Sequence, residues 1–270
     1  MMHSITTDHE PVACTTVDRI ATITLQRPEA LNALDPALVD GLREHLAHAH
    51  GSADVGVVVI VGAGRAFCAG GDLRWFAEAE QAGERFRSLA GRFHLCIQAI
   101  TSMPKPVIAA VNGPAAGGGF SLALACDLRV MADDAFLQLG YTSQGLAPDG
   151  GGSFTLPRLV GLARALEIAM LDPRLDATRC RELGLVHRVV SRDRVLAEAH
   201  ALARELEGRA AASLGRTKLL LHAAAASSLA DQLERERLAI AECGDSPEGR
   251  EGIAAFLGKR TPNYRAIRRR

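Results

Sequence analysis

The chain has 270 residues, a hydrophobic content of 48%, and 31 basic and 31 acidic residues. This length and composition allow one substantial buried core, or a core with a smaller appended region. A formal net charge of zero gives no overall field that would attract a nucleic-acid backbone or an anionic membrane. We therefore expect no nucleic-acid partner.

Signals for secretion or membrane insertion are missing from the sequence. The first ten residues, MMHSITTDHE, carry no basic stretch followed by an apolar run. Nowhere do about 18 apolar residues follow one another without interruption. We expect a cytoplasmic protein with no membrane partner.

Cysteine and histidine patterns do not predict a metal site. The six cysteines include no C-x-x-C pair, which favours reduced, mostly buried thiols over a disulfide framework or a zinc site. In the segment HLAHAH, His45, His48 and His50 do not share one face of a helix, and no carboxylate or cysteine completes a ligand set. A solvated helix end is the preferred interpretation.

The N-terminal part of the chain predicts a hairpin followed by a helix. The apolar alternation of Val12–Val17 and Ile20–Leu25 is interrupted by Asp18 and Arg19, a pattern typical of two strands joined by a tight turn. Asp35 and Pro36 then supply an N-cap and an N1 proline ahead of leucines spaced four apart.

Two units of strand, glycine loop and helix follow. The apolar, β-branched run Val57–Val61 leads into GAGRAFCAGGDL and the helical LRWFAEAE, while Val107–Val111 leads into NGPAAGGG and the apolar FSLALAC. Repeated units of this kind predict an α/β core with parallel strands.

LRVMA and AFLQL are short strand candidates that come next in the chain. Glycines 150–152 then introduce a predicted helical segment over 153–171.

The chain changes character after Gly184. Beyond the strand LVHRVV, residues 193–257 are mainly amphipathic helices. We assign 1–195 to the α/β core and 196–270 to a helical region that packs on the core or on a neighbouring subunit, with Arg268–Arg270 as a frayed basic tail.

Glycine loops between buried strands and helices leave the first helix amides without internal partners, and such amides bind anions. Three kinds of ligand are compatible with such loops: a dinucleotide, a nucleoside phosphate, or the oxyanion formed from a carbonyl. The loops match neither G-x-G-x-x-G nor G-x-x-x-x-G-K-[ST], and no G-x-S-x-G elbow is present. A pair of amide-presenting loops around one carbonyl oxygen remains, beside the alternative that the glycines merely allow tight packing.

Three segments carry a resemblance to a known family. GRAFCAGGDL, KPVIAAVNGPAAGGGFSLALACDLRV and GLAPDGGGSFTLPRLVG resemble, in order and spacing, the signature blocks of the crotonase, or enoyl-CoA hydratase/isomerase, family. The resemblance runs from the strand near Val12 to AAFLGKRTPNY. It implies an α/β, crotonase-like spiral of repeated ββα units with a C-terminal helical trimerisation region, assembled as trimers or hexamers. It also implies an acyl-CoA thioester substrate held in an oxyanion hole formed by the amides of Gly71 and Gly118.

The reaction depends on the groups that move protons. A hydratase of this family has glutamates where this chain has Ser121 and Tyr141, and losing such groups forfeits about 10²–10⁴ in rate. Asp149 is the remaining candidate, with a turn or N-cap aspartate as the alternative. The PDGGG arrangement resembles the enoyl-CoA isomerases of phenylacetate degradation, which implies that Asp149 shifts the double bond of a 3-enoyl-CoA to a 2-enoyl-CoA through an enolate. We expect no cofactor beyond the coenzyme A of the substrate.

Three other functions stay open. One is a ring-type isomerase or a hydratase of aromatic-derived CoA esters. Another resembles 4-chlorobenzoyl-CoA dehalogenase, with Asp149 as nucleophile and Tyr141 and His94 in matching positions, although Gly71 stands where the dehalogenase carries an aromatic residue. His94 lies beside an apolar helical stripe, where a packing role is the preferred interpretation. The last is an acyl-CoA binding protein without chemistry.

The resemblance also implies substrate contacts. The CoA nucleotide is expected against the loop after the second strand and against the first glycine loop, at Glu29, Ala30, Leu31, Ala69, Gly70, Asp72 and Leu73. Phe256 and Lys259 are expected to cover the CoA of a neighbouring subunit, or else to form a solvated helix end. Tyr141, Trp75 and Phe76 are expected to line the acyl pocket, and Ser121 and His94 are also expected to bind the substrate.

Overall fold

Residues 10–268 are described by the structure, a computed structural model; residues 1–9, Arg269 and Arg270 lie outside it. The expectations for the N-terminal stretch and for the last two arginines therefore fall on residues that are not described. The strands are β1 (Val12–Val17), β2 (Ile20–Leu25), β3 (Val57–Gly62), β4 (Val107–Val111), β5 (Ala115–Ala116), β6 (Leu128–Ala132), β7 (Phe136–Gln138), β8 (Leu175–Asp176) and β9 (Arg188–Val190). The helices are α1 (Pro36–Gly51), α2 (Leu73–Ala77), α3 (Ala82–Ser102), α4 (Gly118–Ala125), α5 (Gly152–Val160), α6 (Leu162–Leu171), α7 (Ala177–Glu182), α8 (Val195–Glu207), α9 (Ala211–Ala224), α10 (Leu229–Asp245), α11 (Pro247–Leu257) and α12 (Tyr264–Arg268).

The main sheet has the strand order β1-β2-β3-β4-β6-β9 within the described residues. β1 pairs with β2 antiparallel, and every later pair in the sheet is parallel. All six residues of β3 and all five of β4 are buried, as expected of parallel strands covered on both faces. α1 packs against β1 and β2, while α8 packs across β2, β3, β4 and β6. The predicted α/β core with parallel strands is confirmed.

Local sequence signals at the N-terminal end act as expected. Asp18 and Arg19 adopt φ angles of 50° and 65°, the left-handed values that a two-residue hairpin turn requires. The carboxylate of Asp35 accepts a hydrogen bond of 2.8 Å from the amide of Leu38, and Pro36 occupies the first turn of α1. The predicted hairpin and helix start are therefore confirmed.

The helical segment predicted over 153–171 is divided into two helices. α5 ends at Val160 and α6 begins at Leu162, because Gly161 adopts a φ of 78° and its amide closes α5 on the carbonyl of Pro157 at 2.9 Å. A left-handed glycine ends the first helix and lets the second start in a new direction.

The predicted basic tail is wrong for Arg268. Its Nη1 lies 2.8 Å from Oε1 of Glu207, and its Nε lies 2.5 Å from Oε1 of Glu248. Arg265 contacts the second oxygen of Glu207 at 2.6 Å. Glu207 ends α8, so these ion pairs fasten α12 to the helix that lies on the sheet. The division into a core of residues 1–195 and a helical region of residues 196–270 remains a prediction. α8, which begins at Val195, packs on the core.

The six cysteines are free thiols, and Cys68, Cys96, Cys126 and Cys180 are buried. Nε2 of His45 lies 3.3 Å from the carbonyl of Val12, whereas His48 and His50 are exposed at the end of α1. Over residues 10–268, no group of three or more His, Cys, Asp or Glu side chains is arranged to hold a metal ion. Within the same range, no helix combines the length and apolar character needed to cross a bilayer.

Candidate active site

Two glycine loops meet at one edge of the main sheet. β3 and β4 are parallel neighbours, so the loops that follow them leave the sheet at the same end. Cys68 in the first loop and Ala115 in the second form a parallel bridge. The carbonyl of Cys68 accepts a hydrogen bond of 3.0 Å from Ala116, and its amide donates to Pro114 at 3.2 Å. The bridge therefore holds the two loops in register.

Close approach of the loops depends on Gly70 and Gly117. Gly70 has a φ of 96° and Gly117 a φ of 53°, values that side chains other than glycine rarely adopt. A Cβ on Gly70 would lie 2.8 Å from the carbonyl oxygen of Ala116 and 3.2 Å from Cα of Gly117. Only backbone fits between the loops at this point, and each loop continues directly into a predicted oxyanion donor.

Gly71 and Gly118 each stand three residues beyond the bridged pair. Gly118 is the first residue of α4, where an amide has no acceptor within its helix. Around Gly71, the amide of Leu34 donates to Gly70 at 2.7 Å and its carbonyl accepts from Asp72 at 3.0 Å, so the ladder passes over Gly71. Among the hydrogen bonds of residues 10–268, none uses the amide of either glycine as donor.

One small cavity brings the predicted catalytic residues together. Gly71, Gly118 and Asp149 all line it, and so does Tyr141. The remaining wall is apolar and is formed by Leu34, Phe76, Phe86, Leu89, Ala90 and Phe93. A carbonyl oxygen between the two glycines would thus share a mostly apolar space with the carboxylate.

Asp149 is held by both its side chain and its backbone. The hydroxyl of Tyr141 donates to Oδ1 of Asp149. The hydroxyl of Ser121, which is buried, donates to the backbone carbonyl of Asp149 at 2.8 Å. The amide of the next residue, Gly150, donates to Nε2 of His94 at 3.2 Å. The N-cap interpretation of Asp149 is wrong, because Gly151 occupies that position before α5 and Asp149 makes no capping bond.

The surroundings of Tyr141 keep its phenol protonated, so that it acts as a hydrogen-bond donor. Burial, the charge of Asp149 and the hydrogen bond to that carboxylate raise the pKa of Tyr141 far above its ordinary value. Its phenol therefore stays protonated at neutral pH and donates to Oδ1 of Asp149. Tyr141 is also the aromatic residue that replaces the second glutamate of the hydratase pattern.

His94 is exposed on α3, so the packing interpretation is wrong for its ring. It lies behind the Asp149–Gly150 peptide and is absent from the described cavity lining. Ser121 is likewise turned toward the Asp149 backbone rather than into the cavity. Both residues expected to bind substrate are therefore placed where they support the loop that carries Asp149.

The predicted CoA-binding segments lie side by side. The amide of Ala69 donates to the carbonyl of Leu31 at 3.0 Å, which joins the first glycine loop to the turn containing exposed Glu29 and half-buried Ala30. The contact of this surface with CoA remains a prediction. Leu73 is exposed beside it.

Asp72 has a structural role in the same loop. Its carboxylate caps α2 by accepting from the amide of Trp75 at 3.3 Å, and it pairs with Nη2 of Arg27 at 3.1 Å. Trp75 meets the ring of Phe76 edge-on at a centroid distance of 5.0 Å. Phe76 lines the cavity as expected, whereas Trp75, which was expected to do the same, is not among the described residues that line it.

Phe256 and Lys259 lie outside the cavity at the end of α11. Phe256 is 84% exposed, and Lys259 is exposed with a φ of 50°. A role toward a neighbouring subunit's CoA remains a prediction.

Sequence reasoning missed the α3 wall of the cavity. Phe86, Leu89 and Phe93 face it from one side of that helix. Their spacing of three and four residues is the usual apolar helical repeat, which does not distinguish a pocket wall from an ordinary core face. Asn32 was missed as well: fully buried, it donates to the carbonyls of Ala63 and Ala66 at 2.9 Å and fixes the first glycine loop.

Comparison with known proteins agrees with this geometry. The family model for enoyl-CoA hydratase/isomerase matches residues 15–267. The chain is 36% identical to the 1,2-epoxyphenylacetyl-CoA isomerase of Escherichia coli (strain K12), covering 91% of this chain and 94% of that protein. It is 38% identical to a probable enoyl-CoA hydratase of Rhodobacter capsulatus, with the same coverage of both chains.

Solved structures give the same result for the fold. An enoyl-CoA hydratase from Polaromonas sp. JS666 superposes with a TM-score of 0.89 at 42% identity, covering 93% of this chain and 98% of that one. The crotonase-like fold predicted from the signature blocks is confirmed. This chain belongs to the enoyl-CoA hydratase/isomerase, or crotonase, family of enzymes.

Proposed function

We propose that this enzyme moves the double bond of a 3-enoyl-CoA to the 2-position through an enolate, with Asp149 as its single acid and base. The observation that carries the proposal is that Gly71, Gly118 and Asp149 line one cavity. Two amides that donate to no acceptor among residues 10–268 would stabilise the thioester oxyanion, and a carboxylate beside them would transfer the proton.

The proposed steps balance without any other reactant. Asp149 takes a proton from C2; the electron pair of that bond forms C1=C2, and the thioester oxygen becomes negative beside Gly71 and Gly118. The same carboxyl then protonates C4, using the C3=C4 electron pair. A double bond forms between C2 and C3 as the oxygen returns to a carbonyl. Substrate and product contain the same atoms and have the same overall oxidation level, so the proposal includes no cofactor beyond the CoA of the substrate.

The cavity wall favours isomerisation over hydration. Among the described residues that line it, Asp149 is the one carboxylate. Syn hydration in this family pattern uses two glutamates, one to activate water and one to deliver a proton. Ser121 is instead committed to the backbone of Asp149 at 2.8 Å, and Tyr141 to its side chain. A water-activating carboxylate therefore has no counterpart here.

Isomerisation of an aromatic-derived CoA ester is the second candidate. Phe76 and Phe86 stack with ring centroids 3.7 Å apart, and Phe93 completes an aromatic wall around the cavity. Such a wall suits a flat or cyclic acyl group. The relative named 1,2-epoxyphenylacetyl-CoA isomerase gives this candidate a second line of support.

Parallel assays test the proposal. Purified enzyme is given a 3-enoyl-CoA or a 2-enoyl-CoA, with Asp149→Asn beside the wild type and Asp54→Asn, which changes an exposed aspartate, as matched control. We expect fast isomerisation, slow hydration, and a loss of about 10²–10⁴ in rate for Asp149→Asn alone.

Other outcomes identify the alternatives. Fast hydration of the 2-enoyl-CoA, or undiminished isomerisation by Asp149→Asn, contradicts the mechanism. If chloride is released from a chlorobenzoyl-CoA by the wild type but not by Asp149→Asn, the dehalogenase hypothesis is supported. Tight CoA-ester binding without turnover of any of these substrates supports a binding protein.

We also propose a homotrimer, or a hexamer of two trimers, as the working assembly. Large apolar side chains are exposed on α6, α10 and α11, including Leu162, Met170, Leu229, Ile240 and Phe256. Exposed apolar area of this extent is typical of subunit interfaces. Light scattering on purified protein is expected to give three or six times the chain mass of 28.6 kDa; a monomer would contradict the assembly and the CoA-covering role of Phe256 and Lys259.

A further inference from the structure

Asp149 has two carboxylate oxygens in unequal surroundings. Oδ1 accepts the hydroxyl of Tyr141. Among the hydrogen bonds of the described residues, none reaches Oδ2. An acid–base carboxylate needs one oxygen aimed at the substrate and a fixed orientation of the whole group. Oδ2 is the oxygen that can face the substrate, and the hydrogen bond to Oδ1 fixes the orientation of the group.

Backbone contacts immobilise the same residue from behind. The hydroxyl of Ser121 donates to the carbonyl of Asp149, and the amide of Gly150 donates to Nε2 of His94. The peptide group between Asp149 and Gly150 is therefore held at both its oxygen and its nitrogen. A Cβ on Gly150 would lie 2.9 Å from Cβ of Ser121, and Gly150 has a φ of 59°, so the turn has no room to shift toward α4. Side-chain rotation of Asp149 is then the freedom that remains.

We propose that Tyr141 is a positioning residue that fixes Oδ1 of Asp149, so that Oδ2 is the oxygen that carries the substrate proton. The hydroxyl removes the side-chain rotation that the backbone contacts leave open. Ser121 and Tyr141, which replace the two hydratase glutamates, thereby both act on Asp149.

Few titratable groups bear on this contact. Tyr141 and Asp149 are the titratable side chains among the described residues lining the cavity, and His94 lies behind the adjoining peptide. The burial that raises the pKa of Tyr141 keeps its hydroxyl protonated throughout the range in which Asp149 acts.

Tyr141→Phe tests the proposal, since it removes the hydroxyl and keeps the ring in the cavity wall. The kinetic arm rests on the proposed isomerase function. We expect kcat to fall about 10-fold with KM nearly unchanged. Tyr264→Phe, which removes the hydroxyl of the other tyrosine, is the matched control.

A second arm is independent of turnover. Carboxyl-carbon NMR at neutral pH follows the signal of Asp149, which is identified by its loss in Asp149→Asn. We expect its chemical shift to change in Tyr141→Phe, because the hydrogen bond to Oδ1 is lost, and to stay unchanged in Tyr264→Phe. Equal chemical shifts in wild type and Tyr141→Phe overturn the proposal, whether or not the enzyme isomerises.

Ser121→Ala separates the backbone contact of Asp149 from its side-chain contact. It loosens the backbone of Asp149 but keeps the hydrogen bond from Tyr141 to Oδ1. We expect a lower kcat with a smaller change in the NMR chemical shift of Asp149 than in Tyr141→Phe. A change in Ser121→Ala equal to that in Tyr141→Phe would show general loosening of the turn and would contradict a specific role for the tyrosine hydroxyl. If no 3-enoyl-CoA is isomerised by the wild type, the proposed function fails while the NMR comparison still decides the role of Tyr141.

Discussion

Cys68 and Ala115 pair in a parallel bridge that ties the loop after β3 to the loop after β4. Gly71 and Gly118 are separated by 47 positions in the sequence, and each follows its bridged residue at the same distance. The bridge therefore turns two separate strand-to-helix loops into one frame for two amides. Small movements of this frame should affect catalysis more than folding.

Added methyl groups in this frame should slow the reaction. A Cβ on Gly118 would lie 2.6 Å from Cδ1 of Leu34, and one on Gly71 would lie 2.8 Å from the ring of Phe76. Both neighbours line the cavity, so relief of the contact moves its wall. Gly118→Ala and Gly71→Ala are expected to lower kcat/KM about 10–100-fold. Gly91→Ala, where nothing lies within 4 Å, is the control and should stay within about twofold of wild type.

His94 should act as an anchor for the Asp149 loop. Its Nε2 accepts the amide of Gly150 at 3.2 Å, and losing one neutral hydrogen bond costs about 1 kcal/mol. His94→Ala is therefore expected to lower kcat about fivefold, with exposed His50→Ala as control. Loss of more than about 10²-fold in steady-state rate would instead assign His94 direct proton transfer.

His187 should make stability depend on pH. Burial and the nearby charges of Arg129 and Arg181 lower its pKa from 6.5 to about 4, and its Nδ1 accepts the amide of Arg129 at 3.0 Å. Between pH 6.5 and 4 the unfolded chain binds a proton that the folded chain does not. The free energy of unfolding is therefore expected to fall as pH decreases through this window.

His187→Asn is the matching variant, because its amide oxygen can replace Nδ1 as acceptor. Urea unfolding at several pH values should show a weaker pH dependence for this variant between pH 6.5 and 4. Identical slopes for both proteins would contradict the assigned role of His187.

Glu207 should stabilise the C-terminal end of the chain. Its side chain is 4% exposed and pairs with Arg265 and Arg268 at 2.6 and 2.8 Å. Glu207→Gln leaves Arg268 with less compensation in a buried site and is expected to cost about 3 kcal/mol of unfolding free energy. Glu205→Gln, whose side chain is half exposed, should cost below about 1 kcal/mol. Equal effects of the two substitutions in urea unfolding would contradict the difference in burial.

Local chemistry made much of this molecule predictable from its sequence. Asp35 before Pro36 marks a helix start through hydrogen bonds to neighbouring residues, and β3 is recognisable because a strand covered on both faces must be apolar throughout. The two glycine loops were likewise visible as interruptions between apolar runs. These features depend on contacts within a few residues.

Features that depend on distant contacts were harder to predict. Gly161 divides α5 from α6 because it adopts a φ of 78° and its amide closes α5 on the carbonyl of Pro157. The sequence alone does not show that this glycine adopts that conformation. Arg268 is ordered by Glu207, which lies 61 residues away. The hydrogen bond from Tyr141 to Asp149 follows from the folding of a turn, and a sequence shows only that an expected glutamate is missing.

Transfer of isotope within the substrate tests the central claim that one carboxyl of Asp149 carries the proton from C2 to C4. A 3-enoyl-CoA deuterated at C2 is converted in ordinary water, and the product is analysed for deuterium at C4. The account predicts deuterium at C4 in part of the product, with conversion lost in Asp149→Asn. A product that loses deuterium from C2 and carries only solvent hydrogen at C4 would contradict a single shared proton carrier.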